Sequence, residues 1–153
     1  MNSTTIALFE QNPDHAIKLR AMLEHFPHLV VHSFTDAETM LGDNRHVDVY
    51  ILGLDSLCPE ETDLMARLRE TQNGTLAGIA LCSAQSEDEL VKAFEAHDVD
   101  SFVSKDWVSP AQMYLAVTAA LRSARWRLNH KCAVHGVANL RCGHAVCFFE
   151  AAE

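Results

Sequence analysis

Two groups of side chains carry the chemical potential of this chain. The first is a His/Cys cluster near the C-terminus, in which His130, Cys132, His135, Cys142, His144 and Cys147 read H-x-C-x2-H followed by C-x-H-x2-C. Thiolate and imidazole are the ligands that Zn2+ prefers, and a tetrahedral site takes four of them. Cys132, His135, Cys142, His144 and Cys147 are therefore candidate zinc ligands. The second group is dispersed along the chain: Glu10 and Gln11, Gly53 and Asp55, Ser83, and Lys105. Acid, hydroxyl and amine together are the groups that handle a phosphate or a hard cation. A Ser83–Lys105 hydrolase dyad is set aside, because no glycine-flanked nucleophile turn surrounds Ser83 and no histidine is placed by sequence to activate it. No glycine-rich phosphate-cradling loop is present either, and Asn73-Gly74 reads as a turn.

The dispersed residues gain meaning from the elements that hold them. Five short apolar runs, at 5–9, 29–34, 47–54, 78–82 and 101–103, alternate with five helix-like segments. That exchange of periods predicts repeated βα units around one parallel sheet. The run VDVYILGL is almost continuously apolar, as a strand covered on both faces must be. Helix starts are marked by Asn12 before Pro13 and by three capping boxes: Thr35 with Glu38, Ser86 with Glu89, and Ser109 with Gln112. The last helix carries Met113, Val117, Ala120, Leu121, Ala124 and Leu128 as a stripe that packs on the sheet. In an open parallel sheet ligands bind beyond the carboxyl ends of the strands, and this rule is what selects Glu10, Gln11, Gly53, Asp55, Ser83 and Lys105.

Composition bounds the rest. The chain has 153 residues, 48% of them hydrophobic and 7% aromatic, enough for one domain and one core. Residues 1–120 hold 7 Lys or Arg against 19 Asp or Glu, a net of −12, so nucleic acid and anionic membrane are not expected partners. The basic stretch Arg122, Arg125, Arg127 and Lys131 reads as a solvated helix end. No run reaches the roughly 18 apolar residues of a membrane span, and the N-terminus lacks a signal-peptide pattern. A cytoplasmic location is expected. There the five cysteines are expected as thiols or metal ligands, with Cys58 and Cys82 as small buried residues in or beside strands and most of the histidines outside the tail at the surface. The pattern changes near Asn129, which divides the chain into a domain at 1–128 and a His/Cys-rich tail at 129–153.

Over about residues 4–127 the sequence resembles the response-regulator receiver domains of two-component signalling. FEQNPDHAIKLRAML is similar to the family's acidic first strand end and helix, with Glu10 and Gln11 in the acidic places. DVYILGLDSLCP resembles the third strand approximately, and Gly53 falls where the family carries its phosphate-accepting aspartate. IALCSA places Ser83 on the family's Thr or Ser, and SFVSKDW places Phe102 on the switch aromatic and Lys105 on the phosphate-pairing lysine. The proline that usually follows is Asp106 here. The resemblance implies a flavodoxin-like α/β fold, a five-stranded parallel sheet in the order 2-1-3-4-5. It also implies an atypical member, a pseudo-receiver that lacks the acceptor and acts without enzymatic activity. Such a module binds a signalling protein or a second copy of itself through the face of the fourth strand, fourth helix, fifth strand and fifth helix. Glu10 is expected to pair with Lys105 once phosphate is out of the picture. No cofactor is then expected. An alternative is a relay protein that accepts phosphate on Asp55 with Mg2+. A further alternative is a zinc-dependent interaction tail, since LRCGHAVC is similar to the central half of a RING-type finger whose remaining ligand pairs are missing.

Overall fold

The computed structural model describes residues 2–106 and 108–135, the last five by backbone alone. Five strands alternate with five helices: β1 (Thr4–Glu10), α1 (Pro13–Glu24), β2 (Leu29–Phe34), α2 (Ala37–Leu41), β3 (Val49–Gly53), α3 (Pro59–Glu70), β4 (Gly78–Ser83), α4 (Glu87–Ala96), β5 (Ser101–Ser104) and α5 (Pro110–His135). The strands form one sheet in the order β2-β1-β3-β4-β5, all pairs parallel, as expected.

Every side chain of β3 is buried, because helices cover both faces of the sheet. Strand alternation divides the core in two. Ala7, Phe9, Tyr50, Leu52, Ile79 and Leu81 meet α2, α3 and α4, whereas Ile6, Leu8, Val49, Ile51, Ala80 and Cys82 meet α1 and α5. Fully burying a Leu or Ile contributes about 1.5–3 kcal/mol, so the central strands fix the registers that decide what stands at their ends. Two of those registers matter below: Glu10 is level with Gly53, and Ser83 with Ser104. Gly78 opens β4 for a related reason, since a Cβ there would run into the backbone and side chain of Ala120, and its absence lets α5 approach the sheet.

The helix starts follow the sequence with one exception. Asn12 accepts the N–H groups of Asp14 (3.0 Å) and His15 (3.3 Å), Ser86 accepts that of Glu89 (3.3 Å), and Ser109 that of Gln112 (3.2 Å). The Thr35–Glu38 box does not form. Asp36 caps α2 instead, its carboxylate accepting the N–H of Thr39 at 2.9 Å and its hydroxyl at 2.8 Å. An ionised carboxylate at the positive end of a helix is a stronger acceptor than a hydroxyl. Glu38 is thereby freed to pair with Arg67 at 2.7 Å. Cys58 is half-buried at the N-cap of α3, not enclosed beside a strand, while Cys82 is buried within β4.

Helix α5 also departs from expectation. It continues through residue 128 to His135 without a break, because no Gly or Pro lies between Ala111 and His135 to stop it. Arg127 anchors this extension. Its guanidinium meets Asp100 at 2.7 and 3.1 Å and donates to the carbonyl of Ala77 at 2.7 Å, so it is not a solvated charge. Asp100 also pairs with Arg69 at 2.9 Å and accepts the N–H of Ile79 at 2.8 Å, which ties α3, α5 and the sheet edge together. Among the described residues no helix is long and apolar enough to cross a membrane.

Candidate functional site

The carboxyl ends of β1, β3, β4 and β5 converge on one ion cluster. Glu10 is the last residue of β1, and its side chain is 1% exposed. One carboxylate oxygen, Oε1, accepts the N–H of Asn12 at 3.0 Å, so the α1 cap and the strand end fix each other. The other, Oε2, lies 2.5 Å from Lys105 Nζ, in charge contact but off the line of a well-directed hydrogen bond. Lys105 follows β5 directly. Its N–H donates to the carbonyl of Ser83 at 2.8 Å, which continues the strand pairing and sends the side chain inward, where it is 7% exposed.

Asp55 completes the cluster from a loop. Its Oδ1 lies 2.5 Å from Lys105 Nζ, although its side chain is 55% exposed. Strand β3 ends at Gly53, so Asp55 is not carried into the pocket by strand alternation. The loop is shaped by Glu61, whose carboxylate accepts the N–H groups of Asp55 (3.3 Å), Ser56 (3.0 Å) and Leu57 (2.6 Å). Leu57 takes a positive φ of 54° in this turn, and Gln85 Nε2 donates to the carbonyl of Asp55 at 2.6 Å.

At Gly53 the cluster has no side chain of its own. The space is nevertheless filled: a Cβ on Gly53 would run into Glu10 Oε2 and Cδ, and would lie 3.1 Å from the carbonyl of Phe9. The carboxylate from β1 thus occupies the room beside position 53. Burial alone would lower the pKa of Lys105, but the hydrogen bond from its ammonium to Asp55 and its close charge contact with Glu10 outweigh that cost and hold it above the ordinary lysine value. Cys82, one residue before Ser83, is pushed up to about 12 by burial, so its thiol is inert at neutral pH.

The sequence-predicted residues are distributed as follows. Glu10, Asp55 and Lys105 meet, with Gly53 beneath them. Ser83 is fully buried; its carbonyl, not its hydroxyl, meets Lys105, while its Oγ accepts the N–H of Gln85 at 3.2 Å. Gln11 is exposed and stands outside the cluster. Phe102 is half-buried, with its ring edge toward Phe94 at 5.9 Å. Cys132, His135, Cys142, His144 and Cys147 lie outside the residues whose side chains are described. His130 is exposed and stacks on Trp126 at 4.9 Å.

Two participants escaped the sequence reading. His15, which no motif singled out among the scattered histidines, places Nδ1 3.5 Å from Lys105 Nζ. The signal was available, because Asn12 and Pro13 fix the start of α1 and put the third helical residue beside the end of β1. Glu61, which builds the Asp55 loop, lacked any local pattern that marked it.

No protein-family model matches the sequence, and no curated protein is significantly similar to it. Solved structures do match. The signal receiver domain of an HD-domain-containing protein from Pseudomonas fluorescens aligns at 20% identity and a TM-score of 0.67, covering 83% of this chain and 93% of that one. The chemotaxis response regulator CheY4 of Vibrio cholerae gives 11% identity and 0.65, covering 78% and 100%. The receiver domain of a sensor histidine kinase from Pseudomonas aeruginosa, with a magnesium ion coordinated in its active-site cleft, gives 16% and 0.64, covering 78% and 98%. With its five parallel strands in the order 2-1-3-4-5, this chain has the fold of the response-regulator receiver domains.

Proposed function

We propose that the protein is a receiver-like signalling module that works by protein–protein interaction and independently of phosphorylation. One observation carries this reading: Gly53 offers no acceptor, and the space beside it is taken by the Glu10 carboxylate, already paired with Lys105. In the receiver resemblance that lysine answers to phosphate. Here it is satisfied at rest, and freeing it would leave Glu10 buried without a counter-charge.

Mg2+ fits this pocket poorly. The ion demands near-octahedral oxygen ligands and is usually held by one or two carboxylates with waters. Both available carboxylates bond an ammonium group 2.5 Å away, Gln11 faces solvent, and the third nearby donor is an imidazole nitrogen. The proposed partner is a signalling protein or a second copy of the chain, received on the face of α4, β5 and α5. That face holds a groove of about 420 Å³ lined by Leu90, Phe102, Val103, Leu115, Ala116 and Ala119. Leu115 in its lining and Phe94 beside it, against Phe102, are exposed.

A second reading has its own support. Asp55 reaches Lys105 and, unlike the buried Glu10, is exposed, so within this cluster it is the carboxylate accessible to a phosphodonor. Beryllofluoride with Mg2+, added to 15N-labelled protein, separates the two. Unchanged amide resonances at Gly53, Ser83 and Lys105 are the expected result. Saturable shifts that vanish in Asp55→Ala would establish the phosphoacceptor instead.

A further inference from the structure

At the opposite end of the sheet from the ion cluster, beside the strand starts, lies a groove of about 880 Å³. Gly78 draws α5 against β4 at Ala120, and the helix then runs on past the strand starts, so a recess opens between its last turns and the sheet. The floor of the groove is apolar. Val47, Leu76 and Ala77 line it where the chain enters β3 and β4, and Leu121, Ala124 and Leu128 line it from α5. Leu128 is left 42% exposed there. Polar groups on the rim already have partners: Asp48 accepts the N–H of Thr5 at 2.8 Å and meets His46 at 2.9 Å, and Asn73 donates to the carbonyl of Arg45. Arg125 stands exposed on the same rim. What the groove can still accept is an apolar side chain with an anion beside it.

We infer that this groove is the docking site of the chain's own residues 136–153, with Phe148 and Phe149 on its apolar floor and Glu150 against Arg125. Reach permits it. The chain leaves α5 at His135, seven residues and about 10 Å beyond Leu128. Gly136 comes next, the residue type that turns a chain back at a helix end. Thirteen residues then lead to Phe148, an extended span of up to about 43 Å, so the return requires no strain. Chemistry favours it as well. Phe148, Phe149 and Glu150 present two rings, each worth about 1.5–3 kcal/mol on full burial, followed by a carboxylate for the guanidinium of Arg125. A tethered segment also meets the groove at an effective concentration in the millimolar range and escapes the translational cost that an outside partner bears. Occupied in this way, the end of the sheet is closed by the chain itself, and the face of α4, β5 and α5 is left for partners. The inference depends on neither Gly53 nor the ion cluster.

The test uses the full chain, labelled with 15N and with 13C in its leucine methyls and phenylalanine rings. Nuclear Overhauser cross-peaks from the Phe148 and Phe149 rings to the methyls of Leu121 and Leu128 are expected, and they should vanish when Phe148→Ser and Phe149→Ser are combined. That double variant leaves the buried core unaltered, so the amides of Gly53 and Lys105 should stay in place while those of Thr5, Leu76 and Leu128 shift. Trypsin should cut after Arg141 about tenfold faster in the double variant, because cleavage follows the population of the undocked state. Arg125→Glu should speed the same cut roughly two- to fivefold, the worth of one exposed ion pair. Groove amides and a cutting rate unchanged in the double variant would overturn the docking. Cross-peaks that appear only between differently labelled chains in a mixed sample would put a second copy's segment in the groove and overturn the intramolecular assignment.

Discussion

Lys105 shows how a single charge can be both buried and secure. Its amine gains two carboxylate partners on folding, so its pKa rises above the ordinary value of 10.5 in spite of burial. A raised value means that its contribution to stability is complete below about pH 10.5 and fades as pH climbs through the folded-state value. The stability difference between the natural protein and Lys105→Met, from urea unfolding, should therefore be constant between about pH 8 and 10 and shrink above 11. A difference that shrank between pH 8 and 10 would mean the amine is not held by its partners. Gly53→Ala probes the same cluster from beneath. Its methyl must displace the Glu10 carboxylate, and a loss of about 1–3 kcal/mol in urea unfolding is expected, an overpacking cost at a site with little slack.

Among elements, the instructive one is α5. The apolar stripe of Met113, Val117, Ala120 and Ala124 binds it to the sheet, and Gly78 lets it come close. Beyond that stripe, Asp100 holds Arg127 and Arg69 at the opposite end of the sheet from the ion cluster. The Asp100 side chain is almost wholly buried, so Asp100→Ala leaves two guanidinium groups short of a partner. It should cost about 3–5 kcal/mol, seen as a lower urea midpoint. The double variant with Arg127→Leu should recover part of that loss, because one uncompensated charge leaves with its partner. A single-variant cost below 1 kcal/mol would mean that the network is surface decoration.

At the scale of the whole molecule, charge governs encounter. The net charge is −9, and the first turn of α4 beside the proposed partner groove carries Glu87, Asp88 and Glu89. A partner with a basic or mixed patch is favoured, and its association rate should fall steeply as salt is raised from about 50 to 500 mM while dissociation changes little. Surface plasmon resonance with such a partner reads both rates. Equal rates at both salt concentrations would show that the acidic face takes no part in steering.

The sequence by itself determined the architecture. Continuous apolar runs such as VDVYILGL demand burial on both faces, and the caps at Asn12, Ser86 and Ser109 place helix starts within a residue. Position 53 was legible for the same reason, since strand alternation carries a residue's address along the chain. The Asp36 cap was missed because two adjacent acceptors compete and the local pattern does not say which wins. Only the tertiary structure decided the ion cluster. Glu10, His15, Asp55 and Lys105 come from three separate strand ends and a helix, and Asp55 reaches the amine through a loop bent by Glu61, a contact with no local signature. Which carboxylate meets a lysine some fifty residues away depends on backbone register and loop shape together, and neither is written in the spacing of any one motif.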